Sequence, residues 1–211
     1  MNRRAPWAYL LAAAAPLAGV TLILACDGGD ANDAGGAGAS PETTNWSAEP
    51  VDGYPYPVQM LPNEAPSAEG RHFGQGEFQG YNTAQYGSDP PTSGKHIGQL
   101  AQAGVYDQAI PNEVAVHHME HGYTLVWYNC GAAPPLDAGG CTDLRNQLAS
   151  IVQPAVAKGL HVVMTPYDSM PARIALTAWQ FMDTMSELDQ DRINTFLETF
   201  ECHYDPEETC D

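Results

Sequence analysis

Residues 123–129 read Tyr-Thr-Leu-Val-Trp-Tyr-Asn, a run of β-branched and aromatic side chains without a charge, following directly on Gly122. Its length and composition predict a buried strand. Two similar runs follow: Leu160–Thr165 (LHVVMT), stopped by Pro166, and Arg173–Trp179 (RIALTAW). Between the first and second, Thr142 is placed to cap a helix carrying Leu144, Leu148, Ile151 and Val152 on one face. Pro154 is expected to end or kink that helix, and Gly159 to close it. Ser186 and Asp189 resemble an N-terminal box for a last helix with Ile193, Phe196, Leu197 and Phe200 on its inner face. The order β-α-β-β-α predicts an α+β domain: one sheet with helices packed on it, thioredoxin-like in its second half.

Upstream, Asn112-Glu-Val-Ala-Val-His-His-Met-Glu-His121 predicts a short helix, with Asn112 as N-cap and Gly122 as terminator. Residues 53–112 are too dense in Pro, Gly, Asn and Ser for long regular elements, so the N-terminal half is expected to be irregular. A single globular domain is predicted over 53–211, about 160 residues, enough for one core burying roughly 70% of the unfolded chain's surface.

The chain has 211 residues, with 8 Lys+Arg against 26 Asp+Glu. A surface this acidic repels phosphate backbones, which excludes nucleic acid as a partner, and it suits anionic lipid head groups no better. Residues 1–25 carry Arg3 and Arg4 ahead of an Ala- and Leu-rich apolar stretch that ends Leu22-Ile-Leu-Ala-Cys26. This is a signal-peptide pattern. Its last residues resemble the bacterial lipobox, which predicts lipidation at Cys26 and export to the periplasm or the cell surface. The lipid is then the chain's contact with the membrane. Residues 26–52, rich in Gly, Ala and Asp, read as a flexible tether reaching roughly 25–30 Å.

Setting Cys26 aside leaves Cys130, Cys141, Cys202 and Cys210, which allow three pairings in an exported chain. Each of the pairs Cys130–Cys141 and Cys202–Cys210 brackets a short loop, so local pairing is predicted. No Cys-x-x-Cys occurs, which argues against a redox or zinc motif built on cysteine.

The chemistry lies in the histidines. His117 and His121 share one face whether the stretch is a helix or a strand, a spacing that lets both reach one metal. His96, in the turn Thr92-Ser-Gly-Lys-His96, can be brought in as a third ligand. Glu120 is placed to complete or orient the coordination, and Met119 is a further candidate through its thioether. His118 points away from the pair, His161 reads as a strand residue, and His72 and His203 read as surface residues. His117-His-Met-Glu-His121 also matches the H-x-x-E-H of inverted zinc peptidases, but Gly122 and the strand after it leave no room for a long active-site helix.

Five segments form an ordered series: Asp89-Pro-Pro-Thr-Ser-Gly94 with His96, Gly104-Val-Tyr-Asp107, Val116-His117 with Glu120-His121-Gly122, Thr165-Pro-Tyr167, and Ile174-Ala-Leu-Thr-Ala-Trp179. Over roughly residues 75–200 the series resembles an uncharacterised bacterial domain-of-unknown-function family of exported or membrane-anchored proteins. Lys95 departs from the Pro that is commoner there before the first His. The resemblance implies that His96, His117, Glu120 and His121 belong to the family pattern, and it supplies no activity.

The resulting expectation is an extracytoplasmic lipoprotein that binds a transition metal, copper in preference to zinc, through His96, His117 and His121. Two alternatives use other chemistry. One is a metal-dependent enzyme on the same ligands, with Glu120 as base. The other is a metal-free module binding protein or glycan through Tyr54 and Tyr56, with Trp127 and Tyr128 expected in the strand core.

Overall fold

Strand β3 (Thr124–Tyr128) is buried at every position, and its alternation divides the core. In the computed structural model, which describes residues 51–65, 67–205 and 209–210, Val126 and Tyr128 face one apolar cluster, while Leu125 and Trp127 face another. The predicted leader (1–25), the Cys26 lipidation site and most of the tether (26–50) lie outside the described residues.

The elements run in chain order β1 (Gln59–Met60), α1 (Ala68–Arg71), β2 (Gly104–Val105), α2 (Asn112–Glu120), β3, α3 (Ala138–Ala157), β4 (Val162–Pro166), β5 (Ile174–Ala178), β6 (Phe181–Met185) and α4 (Gln190–Phe200). The sheet order is β1-β6-β5-β3-β4-β2. β4 lies parallel to β3 and β2, while β5 pairs antiparallel with both β3 and β6. The parallel pair β3/β4 needs a crossover, and α3 supplies it. One core cluster joins Leu148 and Val152 of α3 and Phe196 and Phe200 of α4 to the sheet. The other joins Ala115, Val116 and Met119 of α2 to the opposite sheet face. The α+β expectation and its irregular N-terminal half hold, with only short elements before α2.

Several boundaries differ from the sequence reading. α3 starts at Ala138 rather than after Thr142, because the Asp137 carboxylate accepts from the Gly140 N–H at 2.7 Å and so caps a first turn holding two glycines. The helix runs through Pro154 to Ala157, and Gly159 follows at φ 96°. Pro111, not Asn112, is the N-cap of α2, and Asp189 alone caps α4 through the Arg192 N–H. β6 is a strand that the sequence reading did not contain.

The structure joins Cys130 to Cys141 and Cys202 to Cys210. Arg173, only 8% exposed, secures the loop after β3 by donating to the carbonyls of Asn129, Cys130, Ala132 and Pro134. Tyr54 is buried rather than exposed. Its hydroxyl donates to Asp183, which Arg192 also holds, and its ring packs edge-on against Phe196 and Phe200. Tyr56 is half-buried beneath the Arg192 guanidinium. Trp127 and Tyr128 are in the core as expected.

Candidate metal centre

Helix α2 carries its chemistry on one face and its packing on another. Ala115, Val116 and Met119 join the apolar cluster, while His117 and Glu120, three residues apart, project together. The helix is held at its start by Glu113, whose buried carboxylate accepts from the backbone N–H groups of Asn82, Thr83 and Ala84. It ends at Glu120, with Gly122 following at φ 76°.

Two loops meet in front of that face. The His96 N–H donates to the Arg71 carbonyl at 2.8 Å, and the Phe73 N–H donates to the His96 carbonyl at 3.1 Å. This short parallel bridge sets His72 beside His96, with ring centroids 4.7 Å apart. The His117 ring lies 5.0 Å from that of His96 and 5.5 Å from that of His72. His72, His96, His117 and Glu120 each offer one ligand atom, all within 4.8 Å of one another. Such a group could hold a metal ion. Donor atoms around a tetrahedral ion with bonds of roughly 2.0–2.1 Å stand about 3.4 Å apart, so the wider pairs would close in on binding while His96 Nε2 and Glu120 Oε2, now 2.7 Å apart, would separate. His72 is exposed, and the other three are buried.

The hydrogen bonding fixes one tautomer. His96 Nδ1 lies 3.0 Å from the Gly94 carbonyl, which accepts only, so Nδ1 carries a proton. In the neutral ring Nε2 then presents a lone pair, yet it lies 2.7 Å from Glu120 Oε2. Two acceptors at that distance are held together by a proton between them, and a cation bound by both groups would take that proton's place. A ligand histidine donating its other N–H to a backbone carbonyl is also the usual outer support of a metal site.

Glu120 is the hub. The Arg71 guanidinium reaches its Oε1 at 3.2 Å, and His117 Nδ1 stands 3.4 Å from Oε2, at the edge of hydrogen-bonding range. Burial alone would raise the Glu120 carboxyl. Hydrogen bonds from His117 and His96, with the charges of His96 and Arg71, outweigh it and hold the group well below the usual carboxylate range. The site therefore contains an ionised carboxylate in a buried position. Engaged in this way, Glu120 is poorly placed as the free base a peptidase requires.

The remaining sequence candidates fall around this group. His121 follows α2, its ring 4.4 Å from that of His117 and its Nδ1 3.2 Å from Thr209 Oγ1; it adjoins the four without joining them. Met119 is fully buried in the apolar cluster with Trp127 and Trp179. His118 is buried, its Nδ1 donating to Val114 O and its Nε2 accepting from the Ala101 N–H. His161 pairs with Glu201 at 3.0 Å, and His203 is exposed. His72, read from sequence as a surface residue, and Arg71 are the additions made by the structure. Nothing in residue spacing points to them, because their position depends on a bridge between loops 24 residues apart.

Among the described residues no helix is long and apolar enough to cross a membrane. Neither curated proteins nor solved structures give a match. A family model does match, and its span takes in His96, His117 and Glu120 while starting after Arg71 and His72. That family is described as "protein of unknown function (DUF3105)", its model covers residues 78–211, well over half of the sequence, and the chain belongs to it.

Proposed function

We propose that this protein is an extracytoplasmic, lipid-anchored metal-binding protein that holds a divalent transition ion on His72, His96, His117 and Glu120. Three imidazoles and one carboxylate suit copper(II) and zinc(II), and copper(II) ranks ahead of zinc in intrinsic affinity for such donors. A copper(I) preference would call for a thioether, and Met119 is committed to the apolar core. The observation that carries the reading is the convergence of His72, His96, His117 and Glu120, whose ligand atoms lie within 4.8 Å of one another, with the His96 Nδ1 proton committed to Gly94.

Export is supported by the Arg3-Arg4 leader, the Leu-Ala-Cys26 ending and two disulfides, which persist in oxidising compartments. The membrane is then a partner through the Cys26 lipid, and the acidic surface raises the local concentration of cations. Binding is favoured over catalysis because three of the four donors are buried and Glu120 is ion-paired to Arg71 and His96. Recognition of protein or glycan by Tyr54 loses its support, since that residue is core.

The test is metal retention by the full-length protein in detergent, loaded with copper(II) or zinc(II) and desalted against a weak chelator. About one ion per chain, lost in a His96→Ala/His117→Ala variant that still folds, supports the reading. No retained metal in the wild type refutes it and assigns the cluster to an imidazolium–carboxylate network joined through Arg71.

A further inference from the structure

A second group of ligand atoms lies where the residue before β4 meets the last described residues. His161, Cys202 and Cys210 each present one, all within 4.8 Å of one another. Cys202 Sγ lies 3.8 Å from His161 Nδ1, and that nitrogen lies 3.0 Å from Glu201 Oε1. The two sulfurs are bonded to each other, so in this state neither is a thiolate and the group cannot ligate.

The surroundings favour a cation. The cluster sits at the C-terminal end of α4, where Glu201 is the cap, and against the C-terminal end of α2, where Cys210 Sγ lies 3.6 Å from the His121 carbonyl and the Cys202 N–H donates to Gly122 O. Two helix C-termini thus direct partial negative charge at one place. Glu201 adds a carboxylate already bonded to the histidine.

We propose that reduction of the Cys202–Cys210 disulfide uncovers a second metal site, in which two thiolates and His161 bind a zinc(II) or copper(I) ion and Glu201 completes the coordination. Two sulfurs and an imidazole with one oxygen make a four-coordinate set suited to zinc, and the thiolates also select copper(I). The opening step balances with an external dithiol as reductant. Two electrons break the Cys202–Cys210 bond, the dithiol becomes a disulfide, and its two protons pass to the sulfurs. Metal binding then releases both thiol protons to water, and the proton that His161 Nδ1 shares with Glu201 moves to Nε2, which frees Nδ1 to ligate. The site is closed when oxidised and open when reduced, so the metal load of this end of the molecule follows the thiol poise of its compartment.

This inference does not depend on the histidine–glutamate site, and a thiolate-specific probe separates them. The full-length protein in detergent would be reduced with a phosphine, which becomes its oxide as water supplies the oxygen, and titrated with cobalt(II). Thiolate-bound cobalt absorbs strongly in the near ultraviolet, and cobalt on histidine and carboxylate does not. The expected result is no such band in the oxidised protein and about one cobalt–thiolate site per chain after reduction. The band should persist in Cys130→Ser/Cys141→Ser, disappear in Cys202→Ser, and weaken at least tenfold in apparent affinity in His161→Ala. No band on reduction overturns the proposal, whether or not circular dichroism shows the reduced fold intact. So does a band that follows Cys130 and Cys141, or one indifferent to His161.

Discussion

Replacing Glu120 separates charge from hydrogen bonding at the centre of the cluster. Glu120→Ala removes the ion-pair partner of Arg71, whose side chain is only 14% exposed, and the hydrogen-bond partner of His96, which is fully buried. Breaking a buried pair by deleting one partner costs about 3–5 kcal/mol. Glu120→Gln keeps the shape: its amide oxygen can accept from Arg71 and its amide N–H can donate to the bare His96 Nε2. Only the difference between charge-assisted and neutral hydrogen bonds is lost, about 1–2 kcal/mol. Urea unfolding of the metal-free protein, followed by fluorescence of the buried Trp127 and Trp179, reads both. With a urea slope of about 2 kcal/mol per molar, the Ala variant should lose roughly 2 M of midpoint and the Gln variant under 1 M.

The pH dependence carries a sign. Because the folded carboxyl titrates below its unfolded value, its contribution is complete above about pH 4.3 and is lost as pH falls from there through the folded value. The gap between wild type and Glu120→Gln should therefore hold from neutrality to about pH 5 and close below about pH 4.3. Equal, small losses in the two variants, or a gap that closes well above pH 5, would refute the reasoning.

Two further outcomes are expected. Gly122→Ala forces φ 76° on an alanine and sets its Cβ 2.5 Å from Cys210 Sγ and 3.1 Å from Cys202 Cα, costing about 2–5 kcal/mol in strain and overlap together. Measured again in a Cys202→Ser/Cys210→Ser background, the cost should fall towards the backbone part alone, and an unchanged cost would place the overlap elsewhere. Burial holds the His118 ring below its ordinary range against the opposing hydrogen bonds to Val114 and Ala101. Its contribution is thus complete above about pH 6.5 and lost as pH falls towards the folded value. The stability difference between wild type and His118→Gln should narrow over that range, and a difference independent of pH would contradict a neutral buried ring.

The parts of the fold legible in sequence are those where one force dominates. β3, β4 and β5 are uncharged apolar runs, and α4 has Ile193, Phe196, Leu197 and Phe200 at helical spacing, so burial alone identifies them. β6 was hidden because Asp183 sits at its centre, and a buried aspartate makes sense only with Arg192 and Tyr54 brought to it from elsewhere. The same network explains why Tyr54, in a Pro-rich approach segment, lies in the core. The start of α3 was hidden because Gly139 and Gly140 read as loop, whereas a single side-chain cap on Asp137 outweighs them. In the candidate site, periodicity pairs His117 with His121, and of these two the structure brings only His117 into the group with Glu120 and His96. His72 was not legible, since a pairing between loops positions it, and local pattern carries no trace of such a pairing.

The two ends of the sheet have a consequence for crowding. Each is finished by a strand of only two residues, β1 against β6 and β2 against β4. A neighbouring chain seeking to extend the sheet would find too short a template at either margin to hold on to. The β1 margin is further secured by Tyr54, clamped through Asp183 and Arg192, so it does not peel back to expose the longer β6 beneath. Copies gathered at high density are therefore not expected to join through the margins of their sheets.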